Sequence, residues 1–446
     1  MTGSKESLQF NKFEIYSNEG VGSVDLRSGT PRIEYRESVF VPYVTITAAI
    51  VDTGNAFEAN DGSGKTISLL DSIKCQGTEK ILFDIEDGNG NKIKFTNDND
   101  LRVDSTSFIT ESFKSTSFIL SVVSKEAYEN TFLENRCRNP YSGKMSDIVS
   151  DIIKNNLKSN KKVDVDVTLT NLNQYGKDRY PFEMILDIQK LSVPDIEKAK
   201  GNMAGYLFWQ TSKGYHFKSL DKLFNSTGKT IKRYILNQKV DTVIPAGFDD
   251  KILYYFANRT TRALDQFKSG AFGTILETWD PITNTYVKAA PFTAKEKGNG
   301  IIAGKYLPRV NPDFLDRDGN PKTTSRLANK VKPKGQTVVF GDSIQTQVEK
   351  TDLENYSVED ILQQSKQNYR QKFNMSIDII VPSDFSLHAG DLVYCEFPEL
   401  STKTTVTRSL TSSGIYMIAD LCHFGTRSKT FTGLHLVRDS YGVKNG

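Results

Sequence analysis

A chain of 446 residues is too long for a single core and implies about three domains. A formal charge of +3 is close to balanced, so charge points neither to nucleic acid nor to an acidic membrane surface, and 37% hydrophobic with 11% aromatic residues suffices for β-rich cores. No apolar run approaches the ~20 residues that a membrane helix needs, and the polar stretch 1–7 leads into no signal-peptide core, so neither a span nor a secretory leader is expected.

The first 124 residues read as strands. Runs at 10–17, 24–26, 38–53, 80–85, 92–95 and 117–123 are β-branched or aromatic, and Gly, Asn and Asp clusters separate them. Asp87-Gly88-Asn89-Gly90-Asn91 between two runs is a hairpin turn, because Asn and Gly tolerate positive φ. An antiparallel barrel is expected over 1–124. Composition then changes, and 125–204 reads as a helix-rich connector. Residues 125–138 have helical spacing with Tyr128, Phe132 and Leu133 on one side. Ser146 is expected to cap a helix whose apolar stripe is Ile148, Val149, Ile152, Ile153 and Leu157. A third helix starts at Pro181 and buries Phe182, Ile185, Leu186 and Ile188.

Residues 205–220 form a hairpin about Ser212-Lys213-Gly214, rich in aromatics on both sides. Two strands alone are marginal, so they need partners. The candidates are four strands at 373–381, 392–397, 415–423 and 430–438, which follow one another through turns without a helix between them. The expected fold class is therefore mainly β (α+β). It comprises two antiparallel β-barrel domains, the second split over 205–222 and 372–446, with the helical connector and an inserted mixed domain at 223–371. Within the insertion, 272–288 reads as a hairpin around residues 280–284, and 357–371 as a helix capped by Ser357, with Ile361, Leu362 and Tyr369 on its apolar side.

Motifs for chemistry are weak. Ala59 to Thr66 fits the loosest form of a phosphate-binding loop, yet Gly77 follows too soon for the helix whose N-terminus would cradle phosphate. Asp316-Arg317-Asp318-Gly319-Asn320 lacks the ligand spacing of a calcium loop and reads as an Asx-type turn. His423 beside Cys422 has no further ligands at zinc spacing and reads as a structural histidine. Four cysteines (Cys75, Cys137, Cys395, Cys422) without CxxC spacing suggest reduced thiols in a chain made in a cytoplasm. The basic run Lys322, Arg326, Lys330, Lys332, Lys334 has no interleaved aromatics to stack bases and reads as a solvated or protein-docking loop. No catalytic residue, metal ligand or cofactor-binding position emerges, and a non-enzyme is expected.

Several stretches carry a resemblance. They are Tyr35 to Pro42 and Val51 to Asn55; Ser124 to Asn130 with Arg136 and Tyr141 to Lys144; then Ala389-Gly390-Asp391, Gly414 to Ile418, His423 and Leu436 to Ser440. Together they resemble the baseplate hub subunit of T4-like contractile-tail bacteriophages, most clearly at 35–55, 124–160, 181–221 and 373–440 and least in the insertion. The matching positions, with structural or assembly roles, are Glu37, Ser38, Pro42, Asp52, Lys125, Glu126, Arg136, Tyr141, Gly143, Lys144, Gly390, Asp391, His423, Arg438 and Asp439. The resemblance implies tail-tube-like barrels and a homotrimeric ring within the virion's tail baseplate. Such a ring joins the sixfold tail tube or its initiator proteins to the threefold central spike. It also meets tape-measure and baseplate wedge proteins, and DNA passes through without specific binding. A part bridging these symmetries must look threefold on one side and roughly sixfold on the other. Two alternatives stay open: the hub of a related contractile injection or secretion system, and a tail-tip enzyme that degrades cell wall.

Overall fold

The computed structural model describes residues 8–20, 22–54, 57–58, 66–96, 99–195, 203–236, 250–257, 263–280, 285–288, 292–293, 300–308, 310–315, 317, 325–328, 358–399, 408–426 and 429–443. Period-two alternation organises most of them. In Thr45–Asp52, for example, Ile46, Ala48, Ile50 and Asp52 face inward while Thr45, Thr47, Ala49 and Val51 face outward.

Fifteen strands join in one sheet. Its path runs Ser23–Asp25, Gln9–Tyr16, Lys80–Glu86, Leu101–Ser112, Ser115–Ser124, Thr45–Asp52, Arg32–Ser38, Gly414–Thr426, Leu392–Glu396, Lys232–Leu236 and Lys251–Ile252. Off this path, Lys92–Phe95 pairs with Lys80–Glu86, and Thr430–Arg438, Met375–Pro382 and Tyr254–Phe256 extend from Gly414–Thr426. The path has two ends, and among the described residues no sheet closes into a barrel. The expectation of two antiparallel β-barrels is thereby corrected to a mixed α+β fold with several sheets. The strand Arg32–Ser38 supplies the reason. One of its edges pairs with Thr45–Asp52, and the other is taken up by residues 420–426 of the 13-residue strand Gly414–Thr426. The edge that the N-terminal strands would need for closure is thus occupied by the C-terminal half.

The hairpin Tyr206–Thr211 and Gly214–Ser219 also departs from expectation. Its strands pair with each other and, in parallel, with Val163–Val165, making a separate three-stranded sheet, so they are not paired with the strands after 373. All six residues of Tyr206–Thr211 are buried, so both faces have partners. Tyr206 and Phe208 join a core with Ile148, Ile152, Phe182 and Ile185, whereas Leu207 and Trp209 pack on Ala389, Leu392, Met417 and Val437. The hairpin therefore meets the C-terminal strands across a face and not along an edge.

Helices depart in detail. Lys125–Glu129 is a single short helix, after which Phe132 and Leu133 lie exposed. Met145–Asp151 begins one residue before Ser146, whose backbone N–H donates to Thr168, and continues into a π-helical turn Ile152–Asn156. Pro181–Leu191 starts at the expected proline. In the insertion, Gly273–Asp280 and Thr285–Lys288 pair as a hairpin, and Val358–Lys372 is helical. The phosphate-loop reading (59–65), the cap Ser357, all but Arg317 of the calcium-loop reading and, apart from Arg326, the basic run lie outside the described residues.

Candidate functional site

Two buried charged centres tie the chain's distant parts together. The first is Glu37, which alternation in Arg32–Ser38 turns inward beside Ile33 and Tyr35. Its carboxylate accepts from the Tyr35 hydroxyl (2.6 Å), the Ser212 N–H (3.1 Å) and the Ala389 N–H (3.0 Å), and faces His388 Nδ1 at 3.1 Å. Burial pushes this carboxyl up, but the His388 imidazole and the Tyr35 hydroxyl outweigh it and hold Glu37 below the usual carboxylate range. One side chain thereby joins the N-terminal strands, the hairpin turn and the 388–391 loop.

That loop is fixed from its other side by Trp209, whose indole N–H donates to the Ala389 carbonyl at 3.0 Å. Gly390 has φ +91°, and a Cβ there would lie 2.5 Å from Trp209 Cζ2, so no larger residue fits. Asp391 closes the turn by accepting from the His388 N–H at 2.9 Å. His423 stacks on Tyr35 (6.0 Å between centroids), contacts Phe385, and its Nδ1 meets Thr432 Oγ1 at 2.9 Å. Glu37, Gly390, Asp391 and His423, read separately along the sequence, thus gather at one junction. Gly390→Ala is expected to lose roughly 2–4 kcal/mol from combined overpacking and left-handed strain. Urea unfolding would measure it, and a loss below ~0.5 kcal/mol would mean that Trp209 yields freely.

The second centre is Lys372, wholly buried at the end of the helix Val358–Lys372. Its ammonium pairs with Asp221 (3.1 Å) and Asp439 (3.2 Å), donates to the Ile301 carbonyl, and lies 4.8 Å from the centre of the Phe224 ring. Burial works to lower its pKa, but the two carboxylates prevail and raise it. Asp439 also accepts from the Ala303 N–H at 2.9 Å. Beside it, buried Arg438 donates to the carbonyls of Ser413 (3.2 Å), Gly442 (3.1 Å) and Ser440, and stands over the Tyr416 ring.

The remaining motif positions are dispersed. Asp52 accepts from the N–H groups of Gly54 and Leu69 and fixes the start of the short helix Leu69–Ile73. Ser38 Oγ accepts from the Phe40 N–H, and Pro42 lies half-buried just beyond. Glu126 pairs with buried Lys161 at 2.5 Å and accepts from Ser159, whereas its neighbour Lys125 reaches Glu129 at the surface. Arg136 pairs with Asp178 over the Tyr180 ring, and Tyr141 enters the connector core. Gly143 holds φ +129°, and Lys144 pairs with Asp195. Sequence reasoning missed His388, Lys372, Asp221 and Lys161, because a charged residue or lone histidine in a loop or beside a helix end reads as solvent-facing; for Trp209 it gave the burial but not the partner Ala389.

These centres are built to hold elements in place. Among the described residues no group of three or more His, Cys, Asp or Glu side chains could hold a metal ion, and no helix is long and apolar enough to cross a membrane. All four cysteines are free, and burial pushes the thiols of Cys75 and Cys422 up to about 12 and about 11, away from thiolate chemistry. Burial also lowers His423 and His216 to about 4. Both folded values lie below the ordinary 6.5, so between about pH 6.5 and 4 the unfolded chain binds more protons than the folded one. Stability is expected to be full above that window and to fall within it by up to about 1.4 kcal/mol per pH unit for each histidine. Denaturant titrations from pH 7.5 to 4 would check this, and a flat profile would contradict it.

No protein-family model matches the chain, and no curated protein sequence does. Solved structures do match. The 43 kDa tail protein of prophage MuSo2 from Shewanella oneidensis is 10% identical, with a TM-score of 0.51 over 96% of this chain and 98% of that one. The tail protein from Neisseria meningitidis MC58 is 8% identical, with a TM-score of 0.50 over 96% of each chain. The chain therefore has a phage tail-protein fold. At such identities the shared property is the fold from end to end.

Proposed function

We propose that the chain is a structural tail protein, a central baseplate hub resembling that of T4-like phages, which forms a homotrimeric ring in the virion. The carrying observation is that the similarity to a phage tail protein spans nearly the whole of both chains. The motif positions add support, since Glu37, Gly390, His423 and Asp439 hold distant segments together. On this reading 1–124 and the split segment 205–222 with 372–446 supply two comparable halves. Residues 125–204 connect them, and 223–371 is an insertion. Three copies then present a threefold face to a central spike and a roughly sixfold face to the tail tube or its initiator. Tape-measure and baseplate wedge proteins are further neighbours, and DNA passes without specific contacts, which many phosphate-binding cations would hinder. Catalysis plays no part. Native mass measurement of the chain, alone and with its spike, tests the proposal, with a trimer expected in at least one state. A monomer under both conditions would overturn the ring, and measurable turnover of cell-wall substrate would favour the tail-tip enzyme instead.

A further inference from the structure

The long hairpin Leu101–Ser112 and Ser115–Ser124 ends in an apolar tip that is uncovered among the described residues. Phe113 is 103% exposed and Phe108 81%, with Ile109 beside them. Beyond Val103 the outer edge of Leu101–Ser112 has no strand partner among the described residues. Phe108 sits where the register shifts between Ser117 and Ile119, and its φ of +53° is a left-handed conformation that an aromatic residue rarely adopts. Strain and exposure at one aromatic are both costs to the isolated chain. Such costs persist where the residue serves a contact that the isolated chain lacks.

Elsewhere the fold leaves an apolar socket. A groove of about 730 Å³ opens between the helices Pro181–Leu191, Ala263–Ser269 and Val358–Lys372, with Leu186, Leu207, Leu362, Tyr369 and Phe373 along it and Phe40, half-exposed, at its mouth. Its size lies within the ~300–1,000 Å³ of clefts that accept large groups. The charged groups along the groove are Lys190, Lys366 and Arg370 with the single acid Asp265, so the lining is net basic. Burial, then the Arg370 charge, lowers the Lys366 pKa. Arg370 is exposed and has no partner among the described residues. The hairpin tip carries one acid, Glu111, and one base, Lys114, in 105–117, and Glu111 is the group that complements an unpaired cation.

We propose that the hairpin tip of one copy seats in the three-helix groove of a second copy, with Phe108, Ile109 and Phe113 as the plug and Glu111 against Arg370. The contact rests on the self-assembly proposed above. It is heterologous, plug to socket, and such contacts repeat around a ring when the rotation closes. Buried aromatic anchors ringed by complementary charge are the usual centre of a specific interface.

Sedimentation velocity and thermal melting of the full chain test it. F108S/F113S should melt no lower than wild type, because both rings are exposed and pack on little in the isolated chain, yet should stay monomeric where wild type assembles. E111R and R370E should each weaken self-association about tenfold or more, and E111R/R370E should recover most of the loss. Wild-type assembly kept by all of these variants would overturn this interface and leave the ring standing. A wild-type chain that is monomeric at every concentration, both alone and with its spike, would overturn both.

Discussion

Lys372→Met should lower stability by roughly 3–5 kcal/mol, the cost of removing one partner from a buried ion cluster. Methionine nearly preserves the volume, so the loss reports charge more than packing. Without the ammonium, Asp221 and Asp439 remain as two carboxylates with no solvent exposure. Two buried like charges without a cation between them are the source of that loss. Replacing all three charges, D221N/K372M/D439N, should restore much of the loss, since burying charges carries its own desolvation cost. Urea unfolding of the single and triple variants measures both effects. A single-mutant loss under ~1 kcal/mol would place Lys372 among ordinary surface pairs and refute its role.

Glu37→Gln should be nearly as costly, at roughly 2–4 kcal/mol. The amide keeps the shape but has one acceptor oxygen in place of two. Its NH₂ cannot accept from the Ala389 N–H, and the charge facing His388 is gone. Tyr35→Phe, which removes a single donor, should cost about 1 kcal/mol. If the two variants lose equal stability, Glu37 is an ordinary hydrogen-bond acceptor and the junction is held by packing alone. Native-state hydrogen exchange adds a readout that separates the cases. Glu37→Gln should open the 388–391 loop and the hairpin turn together, because one carboxylate holds both.

Local alternation made most strands legible. Thr45–Asp52, Met375–Pro382 and Thr430–Arg438 have one buried face, and a period of two can be read without their partners. What failed was everything that depends on edges. Whether a sheet closes is decided by which strand occupies the second edge of Arg32–Ser38, and that partner lies at the far end of the chain. The hairpin at 206–219 was misassigned for a similar reason. With both faces apolar, its residues show that it is buried but not which neighbour shares its backbone hydrogen bonds. At the candidate site, Glu37, Gly390, Asp391 and His423 were visible as motif positions, whereas their meeting was not. Lys372 was invisible because its helix buries Gln363, Gln367 and Asn368 as well, so polarity there no longer marks the solvent side.

A ribosome delivers Arg32–Ser38 about 380 residues ahead of its partner Gly414–Thr426. At about 5–20 residues per second, the nascent N-terminal half waits on the order of tens of seconds with one β-edge bare. Glu37 likewise waits for Ala389 before its charge is matched. Two neighbouring nascent chains could pair through that edge before either is complete, so yield in the cell should depend on expression rate more than on final stability. Less frequent initiation or added holdase chaperone should raise the soluble fraction, and both should matter less for a chain whose N-terminal edge is blunted by charge.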